Sequence, residues 1–137
     1  MDQMVIFKPM LATMLLTLFV WVYMYARRLS FIFSNGLDAK RMTPAELARV
    51  SPPSVSSPSD NLKNLCELPT VFYAIVLYLF VIHRVDLVYL ALAWSFFAFR
   101  LLHSAVHCTF NFIPLRFVLY VTSSVALWIM VVRAAVQ

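Results

Sequence analysis

The chain has 137 residues, of which 63% are hydrophobic and only 12% charged, with a single glycine and a net charge of +5. A soluble domain carries about a quarter of its residues charged to keep a wetted surface, so this composition excludes one and points to an integral membrane protein. The basic excess does not indicate a nucleic-acid binder either: Arg27, Arg28, Lys40, Arg41, Arg49 and Lys63 lie in or beside one loop between long apolar runs.

The first apolar stretch, Val5 to Ala26, is long enough to cross ~30 Å of hydrocarbon as a helix. It opens with Asp2 rather than a basic segment, and Arg27-Arg28 stands where a small-residue cleavage site would fall. It therefore reads as a retained first transmembrane helix over residues 5–28 and not as a secretory signal. The loop over 29–59 contains Thr43-Pro44-Ala45-Glu46, a capping box with proline at the first helical position, which predicts a short helix from Pro44 to Val50. Ser51-Pro52-Pro53 ends that helix, because proline disfavours helix in the residue before it. Ser54 to Ser59 reads as a flexible polar tether. The cluster of basic residues places this loop in the cytoplasm by the positive-inside rule, with both termini outside.

A second transmembrane helix is predicted over 60–82, capped by Ser59 or Asp60 and bent at Pro69. Asp60, Asn64 and Glu67 share one of its faces. His83-Arg84-Val85-Asp86 allows only a tight antiparallel turn into a third helix over 87–107, on which Arg100, His103, Ser104 and His107 share a face. Cys108 to Pro114 turns the chain into a fourth helix over 115–134, whose first basic residue is Arg116. Cys66 and Cys108 sit near span ends on the reducing side, so they read as small packing residues and not as a disulfide.

Following the chain's direction brings Asn64 and Glu67 to the same end of the bundle as Arg100, His103 and His107, with Arg27, Arg28 and Arg116 ending there too. A charged residue at mid-membrane costs on the order of 2.5–3.5 kcal/mol, so such groups ordinarily face a bundle interior or a site. The plainer alternative is that Glu67 pairs with Arg100, the histidines bond across helices and the arginines snorkel to headgroups. Taken together, several cations around one carboxylate and an amide suit a small anionic ligand that also carries a cation. His103 and His107, four residues apart, have zinc-ligand spacing, but there is no HExxH motif and Arg100 would oppose a dication, so no metal is expected.

The run Asn64-Leu65-Cys66-Glu67-Leu68-Pro69-Thr70-Val71-Phe72, with Arg100-Leu101-Leu102-His103 and with Arg116 sixteen residues beyond Arg100, resembles the MAPEG family, the membrane-associated proteins of eicosanoid and glutathione metabolism. The resemblance covers all four helices in order, including the basic end of the first and Arg49-Val50-Ser51-Pro52-Pro53 in the loop. It implies an all-α four-transmembrane-helix bundle forming a single domain over 1–137 and assembling as a homotrimer. It also implies glutathione as a bound thiol cosubstrate between subunits near the cytoplasmic face, in a bacterial-type member of an inner membrane.

By the same resemblance Asn64 and Glu67 contact glutathione, Glu67 suiting its ammonium. Arg100 and His103 match the third-helix pattern of the prostaglandin E synthase branch, with His107 on the same face. Arg116 matches the arginine that stabilises the thiolate, and Arg28, or Arg27, matches a basic residue reaching the site from the first helix. Three positions depart from the pattern: Asp60 stands where an arginine is common, His107 replaces a tyrosine and Phe117 replaces a serine. The function implied is a glutathione-dependent transferase or peroxidase acting on lipophilic electrophiles from the bilayer. The alternative is a non-catalytic lipid-binding or scaffold member.

Overall fold

A computed structural model describes residues 2–38 and 42–136; Lys40 and Arg41 of the loop lie outside the described residues. Its elements are a 3-10 turn, Gln3–Ile6, followed by α1 (Phe7–Ser34), α2 (Pro44–Val50), α3 (Pro53–Val81), α4 (Leu87–Cys108) and α5 (Ile113–Val136). Four segments, Gln3–Ser34, Pro53–Val81, Leu87–Cys108 and Ile113–Val136, are long and apolar enough to span a membrane. The described residues are all-helical apart from turns, and α4 packs chiefly on α5 while α1 packs chiefly on α3.

The short helix α2 forms where its local chemistry predicts. Thr43 Oγ1 accepts from the Glu46 amide at 3.3 Å, and the Glu46 carboxylate accepts from the Thr43 amide at 2.7 Å. Two boundaries differ from expectation by more than two residues. Helix α1 continues past residue 28 to Ser34, and α3 begins at Pro53, so the supposed tether 54–59 is helical. Pro53 at the first helical position gives up only an amide that would have been an orphan anyway. Pro58, six residues from the α3 cap, cannot donate to the Ser54 carbonyl four residues back. Arg27 Nε from α1 donates to that carbonyl instead, at 3.3 Å. Ser59 and Asp60 are thereby released from capping: the Ser59 hydroxyl accepts from Arg28 at 3.2 Å and Asp60 pairs with Lys63 at 3.0 Å.

The interior changes character along the bundle axis. The half nearer the α3–α4 turn is apolar, built from Phe72, Val76, Leu79, Tyr89, Phe96, Leu127 and Met130, with Phe72 and Phe96 stacked at 4.4 Å between centroids. A smaller cluster of Leu16, Val20 and Leu65 leads toward the other half. There the buried side chains include the polar Asn61, Arg100, His103, Ser104 and His107. Outward faces carry large apolar side chains such as Leu15, Phe19 and Val81, as a bilayer requires.

The apolar end is closed by a clamp. Asp86 caps α4 by accepting from the Tyr89 amide at 2.9 Å, and it takes both terminal nitrogens of Arg133 at 2.9 and 2.6 Å. Gln3 adds a reciprocal pair with the Val85 backbone. Hydrogen bonding from Arg133 holds the Asp86 carboxyl down to about 2. A carboxylate whose folded value lies below its unfolded ~3.9 contributes stability that is complete above pH ~4 and is lost as pH falls through about 2. Asp86→Asn should therefore remove part of the acid dependence of unfolding between pH 4 and 2 and leave the rest of the profile unchanged. Asp86→Ala should cost a further ~1 kcal/mol at neutral pH through the lost cap. Thermal melts across pH in detergent test both.

Candidate functional site

The site is built on the inward face of α4, where Arg100, His103, Ser104 and His107 follow helical spacing toward α5 and the start of α3. Arg100 is completely buried. Its guanidinium carbon lies 4.5 Å from the centroid of Tyr120 on α5 and 5.4 Å from that of Phe96. None of its three nitrogens has a hydrogen-bond partner among the described residues. Each cation–π contact returns about 2 kcal/mol or more in a desolvated setting, whereas removing an ion from water costs several kcal/mol even after relaxation. The rings offset part of that cost but supply no counter-charge, a setting that suits an anion.

The histidines carry the same signature. His103 Nδ1 lies 2.9 Å from the Arg116 carbonyl oxygen. A carbonyl can only accept, so Nδ1 holds the hydrogen and the neutral ring presents Nε2 as a lone pair. That Nε2 is buried and unpartnered, as is His107 Nδ1. The two rings meet edge to face at 5.5 Å, and His103 lies 5.7 Å from Tyr120.

Arg116 opens α5 and is held from the preceding turn. Its Nη1 donates to Asn111 Oδ1 at 2.7 Å, and Asn111 Nδ2 donates to Ser57 Oγ on α3 at 3.2 Å. Asn111 takes a φ of 48°, a left-handed geometry that asparagine tolerates better than most residues. This chain of bonds fastens α3, the turn and α5 around the histidines. Next to it, Asn61 is completely buried; its amide donates to Cys108 Sγ at 3.5 Å and its oxygen accepts from Ser104 at 3.3 Å. Cys66 is exposed and Cys108 partly buried, both as free thiols.

The structure thus brings Arg100, His103, His107 and Arg116 into one layer. It places the other candidates differently. Glu67 is exposed and forms no ion pair with Arg100, although it lies within electrostatic reach of it. Asn64 is half-buried on the same outer side of α3. Arg28 bonds Ser59 whereas Arg116 reaches Ser57 through Asn111. Two residues along a helix turn through about 200°, so these arginines grip opposite faces of α3 and do not converge within one chain.

Asn61, Asn111 and Tyr120 complete the layer, and none was singled out from the sequence. A signal existed for two of them. Asn61 continues the buried α3 stripe of Leu65, Phe72 and Val76 at i+3/i+4 spacing, and Tyr120 lies one turn beyond Arg116. Asn111 sits in a turn whose geometry the sequence does not encode.

A bundle of four helices long and apolar enough to span a membrane, with an apolar core at one end and a buried polar layer at the other, defines a multi-pass membrane protein. The chain belongs to the MAPEG family, whose model matches residues 6–136. That membership makes it a membrane protein of glutathione and eicosanoid metabolism in the broad sense. No curated protein and no solved structure matches the chain.

Proposed function

We propose that the protein is a glutathione-dependent transferase or peroxidase of the membrane, acting on lipophilic electrophiles that enter from the bilayer. The observation that carries this reading is the buried, unpaired guanidinium of Arg100 beside two histidine nitrogens that also have no partner. Such atoms fit a ligand bearing carboxylates and hydrogen-bond donors, as glutathione does. When bound, glutathione would supply a thiol whose thiolate is the nucleophile. Arg116 is the cation assigned to that thiolate, with Arg28 as the second. Arg100 holds the anionic part, His103 accepts a hydrogen bond from the ligand at Nε2 and His107 bonds it through Nδ1, and Asn64 and Glu67 hold the remainder, Glu67 facing the ammonium.

The outward setting of Glu67, Asn64 and Arg28 supports a site shared between subunits of a homotrimer, since these groups then serve a neighbour's layer. The loop and the Arg116 end face the cytoplasm in this reading, with both termini outside a bacterial inner membrane. A second reading, a lipid-binding scaffold, draws on the cleft of ≈ 300 Å³ between α1 and α4, whose walls are Leu16, Phe19, Val20 and Leu101 with only a small polar share. Titration of glutathione into protein purified in mild detergent separates the two. Saturable binding, with a trimeric mass, supports the enzyme. Absence of binding to a trimer supports the scaffold, and a strictly monomeric mass removes the shared site.

A further inference from the structure

One residue in the turn between α4 and α5 makes contacts to three helices. The Asn111 amide donates to the Val106 carbonyl at 2.8 Å and so closes α4. Its side-chain oxygen accepts from Arg116 Nη1 at 2.7 Å, at the start of α5, and its side-chain nitrogen donates to Ser57 Oγ on α3 at 3.2 Å. Arginine can only donate, which turns the amide oxygen toward it and leaves the amide nitrogen for the buried Ser57. We propose that Asn111 is a positioning residue, a neutral anchor that fixes the Arg116 guanidinium without discharging it. This role rests on the glutathione reading above, in which Arg116 is the cation beside the thiolate.

Backbone, side chain and charge each select asparagine. The φ of 48° at this position lies in the left-handed region, where asparagine and aspartate are enriched among non-glycine residues. Glycine would take the same backbone but offers no acceptor. Aspartate would take it and offer a charged one. A carboxylate beside the guanidinium would form an ion pair and cancel much of its field at a neighbouring anion, whereas an amide leaves the positive charge in place. The bond itself is firm, because a charged donor strengthens it.

The surroundings leave that charge uncompensated. Arg116 forms no ion pair among the described residues, Asp60 being taken by Lys63 and Asp86 by Arg133. From α4, His103 and His107 lie within its electrostatic reach. Arg100 on α4 and Asp60 on α3 act on those histidines in turn, and Arg28 on α1 is engaged by Ser59. A neutral partner at 111 is what keeps the one fixed cation of the turn available.

The test uses Asn111→Asp and Asn111→Gly in the full chain in mild detergent, with glutathione added and thiolate absorbance followed across pH beside thermal unfolding. Asn111→Asp keeps an acceptor for Arg116, and the Ser57 hydroxyl can turn to donate to it, so the variant should melt no lower than the parent. Its bound thiol should nevertheless ionise about one pH unit higher, roughly a tenfold loss of thiolate at neutral pH. Asn111→Gly keeps the turn but releases the guanidinium, and should lose thiolate by a similar factor. A merely structural asparagine would lower melting in Asn111→Gly and leave the titration of Asn111→Asp where the parent has it. That second result, with thiolate formed in the parent, overturns the role of Asn111 and leaves the glutathione reading standing. A parent that forms no thiolate with glutathione overturns that reading and this role together.

Discussion

Arg100→Met is expected to melt at a higher temperature than the parent chain and to lose its response to glutathione. The two effects have one cause. A guanidinium with no exposed surface and no hydrogen-bond partner carries a desolvation cost of several kcal/mol in the ligand-free protein, offset only in part by about 2 kcal/mol from each of the Tyr120 and Phe96 contacts. Methionine fills similar volume without charge, and replacing buried ions by apolar groups of like size is often stabilising by about 1–4 kcal/mol. A binding site that stores such a cost trades stability for function. The parent should gain about 2.7 kcal/mol when glutathione is present at a hundred times its dissociation constant, and the variant should gain nothing. Thermal unfolding with and without glutathione measures both quantities. A variant that melts lower and still responds to glutathione would show that Arg100 is structural and that its partner lies elsewhere.

What could be read from the sequence was whatever depends on neighbours in the chain or on direction along it. Helix α2 was legible because Thr43 and Glu46 cap it within one turn. The level of the site was legible because successive spans must reverse direction, which carries Arg100 and His107 back to the end where α3 starts. The start of α3 was not, because Pro58 breaks the local pattern and its repair comes from Arg27, 27 residues away from Ser54. Rotation about a helix axis was the other hidden quantity. Asn61 and Asn64 differ by only about 60° around α3, yet Asn61 is completely buried and Asn64 is not. That angle is settled by which side chains α1 and α4 offer to pack against. The same rotation turns Glu67 outward, so a face shared in sequence does not meet Arg100 inside one chain.

Arg116→Ala should leave the bundle folded and shift the pH dependence of catalysis upward. The substitution removes one hydrogen bond, from Nη1 to Asn111 Oδ1 at 2.7 Å, which as a bond from a charged group is worth about 1.5–3 kcal/mol. The bond that matters for the histidine, from His103 Nδ1 to the Arg116 carbonyl, uses the backbone and survives. What disappears is a positive charge at the mouth of α5. A free thiol ionises near pH 8.5, and a cation beside it favours the thiolate; without that cation the bound thiol returns toward its ordinary value. Each unit of that return corresponds to ~1.4 kcal/mol and about a tenfold loss of thiolate at neutral pH. Activity at pH 7 should therefore fall tenfold or more and recover as the pH is raised past the new value, a rescue that a distorted site would not show. Glu67→Gln should behave otherwise, weakening glutathione binding at every pH without moving the profile, because it removes a contact to the ammonium and not to the sulfur. The ultraviolet absorbance of bound thiolate, followed across pH in the parent and both variants, is the direct measurement. An unshifted profile in Arg116→Ala would remove Arg116 from the chemistry and leave Arg28, acting from a neighbouring subunit, as the cation to test next.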